Sequence, residues 1–234
     1  MVFFGMMGSG PRQKRTSQVT QEDVVRERDV ELKISVDKLR RVLEQTISAF
    51  SAAIEKRDPY TAGHQQRTAV LATAIARTMN LEAEKLKTVY MAALVHDIGK
   101  ISVPAEILNK PTKLTDLESH FIKMHATVGH EILNAIEFPW PIARVILEHH
   151  EHLDGSGYPN GLKGAETLLE SKILSVADVV EAMASHRPYR PALGIKKAIE
   201  EISAHRGVFY DSDVVTACLR IISDKPRCLW PKLS

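Results

Sequence analysis

A chain of 234 residues with 31 Lys and Arg against 29 Asp and Glu carries a formal net charge of +2, which lacks the basic excess of a dedicated nucleic-acid binder, so no DNA partner is expected. Its hydrophobic fraction of 44% is that of a globular protein with a sizeable core. Cys218 and Cys228 form no CxxC pair, which argues against a disulfide framework and a thiolate zinc site and favours a reducing cytoplasm.

In chain order, residues 1–20 are rich in glycine, hold Arg12, Lys14 and Arg15, and read as a disordered leader. The opening run MVFFGMM spans only seven residues, and the later run Val89–Val95 is equally short, so no membrane segment is expected. Residues 21–56 read as a long helix. Leu32, Val36, Leu39, Leu43, Thr46 and Phe50 recur at alternating spacings of four and three, a heptad-like stripe. It serves either as a helix packed on its own domain or as a linker that pairs two copies into a homodimer.

Further helices are predicted over Tyr60–Met79 and Glu82–His96. Thr115 and Glu118 make a capping box that opens one helix carrying Leu117, Phe121, Met124, Val128 and Leu133. Trp140–Glu148, Glu166–Ala184, Ile195–Ala204 and Asp211–Ile222 complete the set. No stretch alternates apolar and polar residues in the manner of a strand, so the fold class is all-α. The conspicuous loop is Leu153–Gly164. The domain expectation is a leader over 1–20, a linker or dimerisation helix over 21–56, a main helical domain over 57–225 and a tail over 226–234.

The distinctive count is histidine: 10 in all, with eight between His64 and His152. Imidazole titrates near neutral pH and ligates metals. His64, His96, Asp97, His125, His149, His150 and Asp178 all fall in segments that otherwise read as core. Buried charged groups need partners, and a divalent cation supplies one. Imidazoles and carboxylates without thiolate suit iron, manganese, zinc or nickel. Neighbours on a helix point about 100° apart, so His96 and Asp97 serve one site only if it is large, such as two metals bridged by a carboxylate. Two-metal sites of that kind hydrolyse phosphate esters. Lys100, Arg187 and Arg190 fit a phosphate substrate. The sequence has no HExxH, no GxxxxGK[ST] and no GxSxG motif.

His96-Asp97-Ile98-Gly99-Lys100, followed by His149-His150-Glu151-His152-Leu153-Asp154-Gly155-Ser156-Gly157-Tyr158-Pro159, resembles the signatures of HD-GYP domains, a branch of the HD metal-dependent phosphohydrolases. The segments Arg57–His64, Ala177–Ala182 and Arg187–Arg190 resemble further family blocks, and the likeness runs from about Phe50 to Ile222. It implies an HD-type helical bundle with a metal centre in its core, and a phosphodiesterase acting on the bacterial second messenger cyclic di-GMP. By this resemblance His64, His96, Asp97, His125, His149, His150 and Asp178 are metal ligands, with Asp97 bridging. Asp97 and Lys100 are then catalytic, Lys100 lying near the scissile phosphate. Arg187 and Arg190 grip substrate phosphates, and Gly157, Tyr158 and Pro159 shape the substrate pocket and steady the double-histidine turn.

Tyr60 stands where some family members place a Glu that supports a third metal, so two divalent ions are expected, iron or manganese before zinc or nickel, with pGpG as product, or GMP if cleavage runs to completion. Leu153 replaces a customary Trp. His120, His130, His152, His186 and His205 match no ligand block. Glu151 is expected to orient an imidazole, and Asp154 to anchor its loop. The family also implies an alternative, an interaction module that binds a GGDEF-type protein, and a variant substrate, cyclic GMP-AMP.

Overall fold

The computed structural model describes residues 20–57, 63–185 and 193–224. Ten α-helices lie in these segments: α1 (Gln21–Arg57), α2 (His64–Thr78), α3 (Ala83–Val95), α4 (Ala105–Leu108), α5 (Asp116–Lys123), α6 (His125–Asn134), α7 (Ile142–Glu148), α8 (Leu169–Ala184), α9 (Ile195–Ala204) and α10 (Ser212–Asp224). A 3-10 turn, Ile98–Ser102, joins α3 to α4. No strand occurs among the described residues, only the isolated bridges Asp154–Lys163 and Arg206–Tyr210. No described helix is long and apolar enough to cross a membrane.

The chain divides into two compact units between Leu43 and Glu44, inside α1. In the first, the helix is acidic at its start and exposes its apolar stripe, with Leu32 62% and Leu39 70% accessible. In the second, α2 packs on α3 and α8, and α10 closes against α2 and α8. Small side chains permit this close approach: Ala69, Ala72 and Ala76 of α2, Ala92 and Ala93 of α3 and Ala177 of α8 are fully buried. Ile75, Leu94, Ile173 and Leu174 fill the spaces between them, each burial contributing roughly 1.5–3 kcal/mol. Cys218 is a free thiol inside this core, and burial pushes its pKa up to about 12.

A second group of contacts sets α6 against α7 and the 3-10 turn. The single helix expected after Thr115 is two. α5 opens on the capping box of Thr115 and Glu118, and the chain bends at Met124 before α6 begins at His125. At the bend His125 Nδ1 bonds the Ile122 carbonyl at 2.7 Å. The approach of Gly99 requires a glycine, since a Cβ there would lie 1.9 Å from the His125 carbonyl oxygen. α7 starts at Ile142 and α8 at Leu169, later than the expected Trp140 and Glu166.

Candidate metal centre

Five elements deliver polar side chains to one buried point. His64 opens α2, His96 and Asp97 lie where α3 gives way to the 3-10 turn, His125 opens α6, and His149 and His150 follow α7. Asp178 comes from the middle of α8. His64, His96, Asp97, His125 and His149 are buried. Helix termini supply most of these residues, so a few turns of backbone fix each one in place.

The donors form two triads. His64, His96 and Asp178 bring ligand atoms within 4.8 Å of one another, and so do His125, His149 and His150. In the first, His64 Nε2 lies 3.1 Å and His96 Nε2 3.6 Å from Asp178 Oδ1. Asp97 stands between the triads. Its Oδ2 faces His64 Nε2 at 4.0 Å and His96 Nε2 at 3.7 Å, while its Oδ1 faces His125 Nε2 at 3.8 Å. Lys100 Nζ donates to Oδ2 at 2.8 Å.

The outer hydrogen bonds fix the tautomers. His96 Nδ1 donates to the Ala93 carbonyl at 2.8 Å, and His149 Nδ1 to that of Ile146 at 2.5 Å. His125 does the same toward Ile122, so the neutral rings aim bare Nε2 lone pairs inward. His96 Nε2 is buried with no hydrogen-bond partner among the described residues. The Nε2 atoms of His125 and His149 face each other at 3.4 Å, where two lone pairs cannot form a hydrogen bond. Orphaned inward lone pairs on a set of imidazoles and carboxylates are what divalent cations require, and the residues fit such ions.

His64 differs. Its Nδ1 bonds Glu181 Oε2, and Glu181 also accepts from Arg67 Nε at 2.6 Å and from Ser185 Oγ. Burial opposes its charge, but Asp178 and Glu181 outweigh burial and raise its pKa to about 9. His149 shifts the other way, to about 3, through burial and then the neighbouring His125 and His96. Burial also lowers His125 and His150. Asp97 and Asp178 sit well below the usual carboxylate range. Burial works against this, but Lys100 and His96 around Asp97, and His64 and His96 around Asp178, prevail.

His150 is held against the loop that follows it. Its ring stacks on Tyr158 with centroids 4.7 Å apart, and Lys123 Nζ lies 5.1 Å from the centroid of the same tyrosine. The loop can fold back this far because Gly157 has no Cβ, which would fall 2.5 Å from the His150 carbonyl oxygen. Tyr158 N then donates to that oxygen at 3.1 Å, and Pro159 follows through a cis peptide.

Glu151 does not orient an imidazole as expected. Its carboxylate accepts from Asn160 N at 2.7 Å and Leu162 N at 2.9 Å, holding the loop from within. Asp154 anchors its loop, accepting from Ser156 N and Oγ. His152 stacks on Phe209, away from both triads. Leu153, in place of the customary Trp, packs on Gly164 and provides no ligand. Tyr60, His186, Arg187 and Arg190 lie outside the described residues.

Sequence reasoning missed the role of Glu181. The signal was present: an acid three residues after Asp178, on the same helix face within an apolar run. It also missed Glu148, a buried acid that receives Leu168 N and Ser171 Oγ, both at the start of α8, and so fixes the turn before His149.

The profile of the HD domain family matches residues 48–214. The chain is 38% identical over 188 residues to the cyclic di-GMP phosphodiesterase response regulator RpfG of Xanthomonas campestris, covering 80% of this chain and 50% of that one. It is 38% identical over 181 residues to a cyclic di-GMP phosphodiesterase of Thermotoga maritima, covering 76% and 49%. A 3'3'-cGAMP-specific phosphodiesterase 3 of Vibrio cholerae is 36% identical over 184 residues, covering 79% and 40%. The chain thus spans about half the length, or less, of these relatives. Among solved structures, a cyclic GMP-AMP phosphodiesterase of V. cholerae shares the fold with a TM-score of 0.62 at 19% identity, covering 79% of this chain and 50% of that one. The HD domain of the L. monocytogenes phosphodiesterase PgpH, in complex with cyclic di-AMP, gives 0.59 at 21% identity, covering 78% and 97%.

Proposed function

Because the chain belongs to the HD domain family, whose phosphodiesterases are metal-dependent, we propose that it hydrolyses cyclic di-GMP to linear pGpG in bacterial signalling. The observation that carries this reading is Asp97, whose two oxygens face two separate donor triads. His64, His96 and Asp178 would hold one divalent cation and His125, His149 and His150 a second, with Asp97 shared. Iron or manganese suits these donors best. When bound, such a pair supplies Lewis acidity and an activated water for in-line attack at phosphorus.

The chain's own residues do the rest. Lys100, already charged against Asp97, neutralises the scissile phosphate and serves the leaving 3′ oxygen as proton donor. Arg187 and Arg190 hold the substrate phosphates as bidentate donors. Gly157, Tyr158 and Pro159 shape the pocket beside His150. The cyclic GMP-AMP specificity named for the V. cholerae relatives supports a second reading, in which the same centre opens that mixed dinucleotide. The intact donor set argues against a purely non-catalytic module, although a GGDEF-type protein remains a proposed partner. The exposed stripe from Leu32 to Leu39 supports homodimerisation through residues 21–56. Sedimentation of the full chain carrying L32E and L39E should then show monomers, and an unchanged mass would refute the dimer. A buried free thiol at Cys218 fits the reducing cytoplasm in which we place the protein.

The deciding experiment supplies iron- or manganese-loaded protein with cyclic di-GMP and cyclic GMP-AMP in parallel and identifies the products. Release of pGpG is expected. Binding of both dinucleotides without turnover of either would sink the enzyme reading.

A further inference from the structure

We infer that the last two turns of α1 position the carboxylate-bearing half of the metal centre, acting through Glu55. The observation is a cap that arrives from another helix. The first amides of a helix have no partner within it, and the residue preceding α2 is Gly63, which has no side chain to offer. Glu55 reaches across instead. Its Oε2 accepts from Gly63 N at 2.9 Å and its Oε1 from Gln65 N at 3.3 Å. These two amides flank His64, the first residue of α2. The carboxylate also lies at the positive end of the α2 dipole.

Neighbouring contacts reinforce the grip. Ser51, one turn earlier on α1, is buried and donates to the Gln65 side chain. Gln65 is wholly buried, so it cannot exchange this bond for water. Arg57 donates to the Val103 carbonyl at 3.1 Å, and Val103 N in turn bonds the Lys100 carbonyl at 3.0 Å. One helix end thus touches the element that carries His64 and the segment that leaves Lys100. The all-imidazole triad is held differently: His125 and His149 bond carbonyls three residues earlier in the chain, those of Ile122 and Ile146.

His64 Nε2 lies 3.1 Å from Asp178 Oδ1, so a small shift of the first turn of α2 changes the first triad while leaving the second in place. Outer-shell support of this kind typically governs metal affinity by about 10–100-fold. α1 is continuous back to Gln21, so whatever displaces its C-terminal end would reach this triad through Glu55.

The inference rests on the two-metal reading, and the test separates the two. Full-length metal-free protein is titrated with Mn(II), and free Mn(II) is counted by electron paramagnetic resonance. Wild type should take two ions, and fewer would overturn the underlying reading. In E55A one of the two affinities should weaken by about 10–100-fold while the other stays within about threefold. Unchanged affinities, or equal weakening of both, would overturn the role of Glu55. A measurement on wild type guards against misfolding of the variant. Coupling is reciprocal, so Mn(II) should slow hydrogen exchange at the Gly63 and Gln65 amides. Exchange unaffected by Mn(II) would overturn the proposal even if E55A does not fold.

Discussion

The two triads look alike as lists of ligands and differ in what stands behind them. His64, His96 and Asp178 have a carboxylate among them and a second, Glu181, bonded to the back of His64. His125, His149 and His150 have only carbonyls and an aromatic ring behind them. The first half therefore attracts positive charge of any kind, protons included, while in the second burial favours neutral imidazoles. The contrast shows in the opposed pKa shifts of His64, to about 9, and His149, to about 3. If each half takes the metal proposed for it, the first must release a proton and the second need not.

Breaking both halves together gives the largest effect. D97A removes a side chain that faces both triads and should lower turnover by well over the roughly 100-fold that loss of an outer-shell group costs. It should also reduce metal content in both sites. H149A should spare the ion proposed for His64, His96 and Asp178, so metal analysis after dialysis distinguishes the variants. Retention of two ions by D97A would show that the carboxylate does not unite the halves.

A smaller effect, of opposite sign in the two halves, is expected from pH in the metal-free protein. The folded pKa of His64 is raised above its unfolded value of about 6.5. Its stabilising contribution is complete below about pH 6.5 and is lost as pH rises through about 9. For His149 the unfolded state binds the extra proton, so stability falls as pH drops from about 6.5 toward 3. Denaturant midpoints should peak between these flanks. E181Q should flatten the alkaline flank by weakening the hold on the His64 proton and leave the acid flank standing. Loss of both flanks together would mean that the halves do not titrate separately.

Much of this centre was legible because its chemistry is local in the chain. His96-Asp97, His149-His150 and an aspartate within an apolar run each announce a buried polar group that needs a partner. The all-helical fold was equally plain from the 3.6-residue spacing of apolar side chains. What could not be read depends on long-range contact. Glu181 is 117 positions from His64, and Glu55 bonds amides at the start of another helix, so no periodicity links either to its partner. The two oxygens of Asp97 could not be assigned to separate triads before α3, α6 and α8 were placed. The bend at Met124 was hidden because Phe121, Met124 and Val128 keep helical spacing through it. At the break the backbone of Gly99 comes close to the His125 carbonyl, a contact from outside the helix that spacing does not reveal.

The smallest effect should fall outside the centre, at the start of α5. Thr115 Oγ1 accepts from Glu118 N at 3.3 Å, and Glu118 Oε2 accepts from Thr115 N at 2.8 Å. Lys110 and Thr115 together hold the Glu118 carboxyl near a pKa of about 2. Removing one cap bond by T115A should cost about 1 kcal/mol, or roughly 2–4 °C in Tm for a domain of this size. The residues of α5 are all at least partly exposed, and its carbonyl contact to His125 comes from Ile122, about two turns away from the cap. T115A should therefore lower Tm without changing either Mn(II) affinity. A loss at the imidazole triad alone would show that α5 supports His125 as α1 supports His64, and the two halves would then share a design that the hydrogen bonds alone do not reveal.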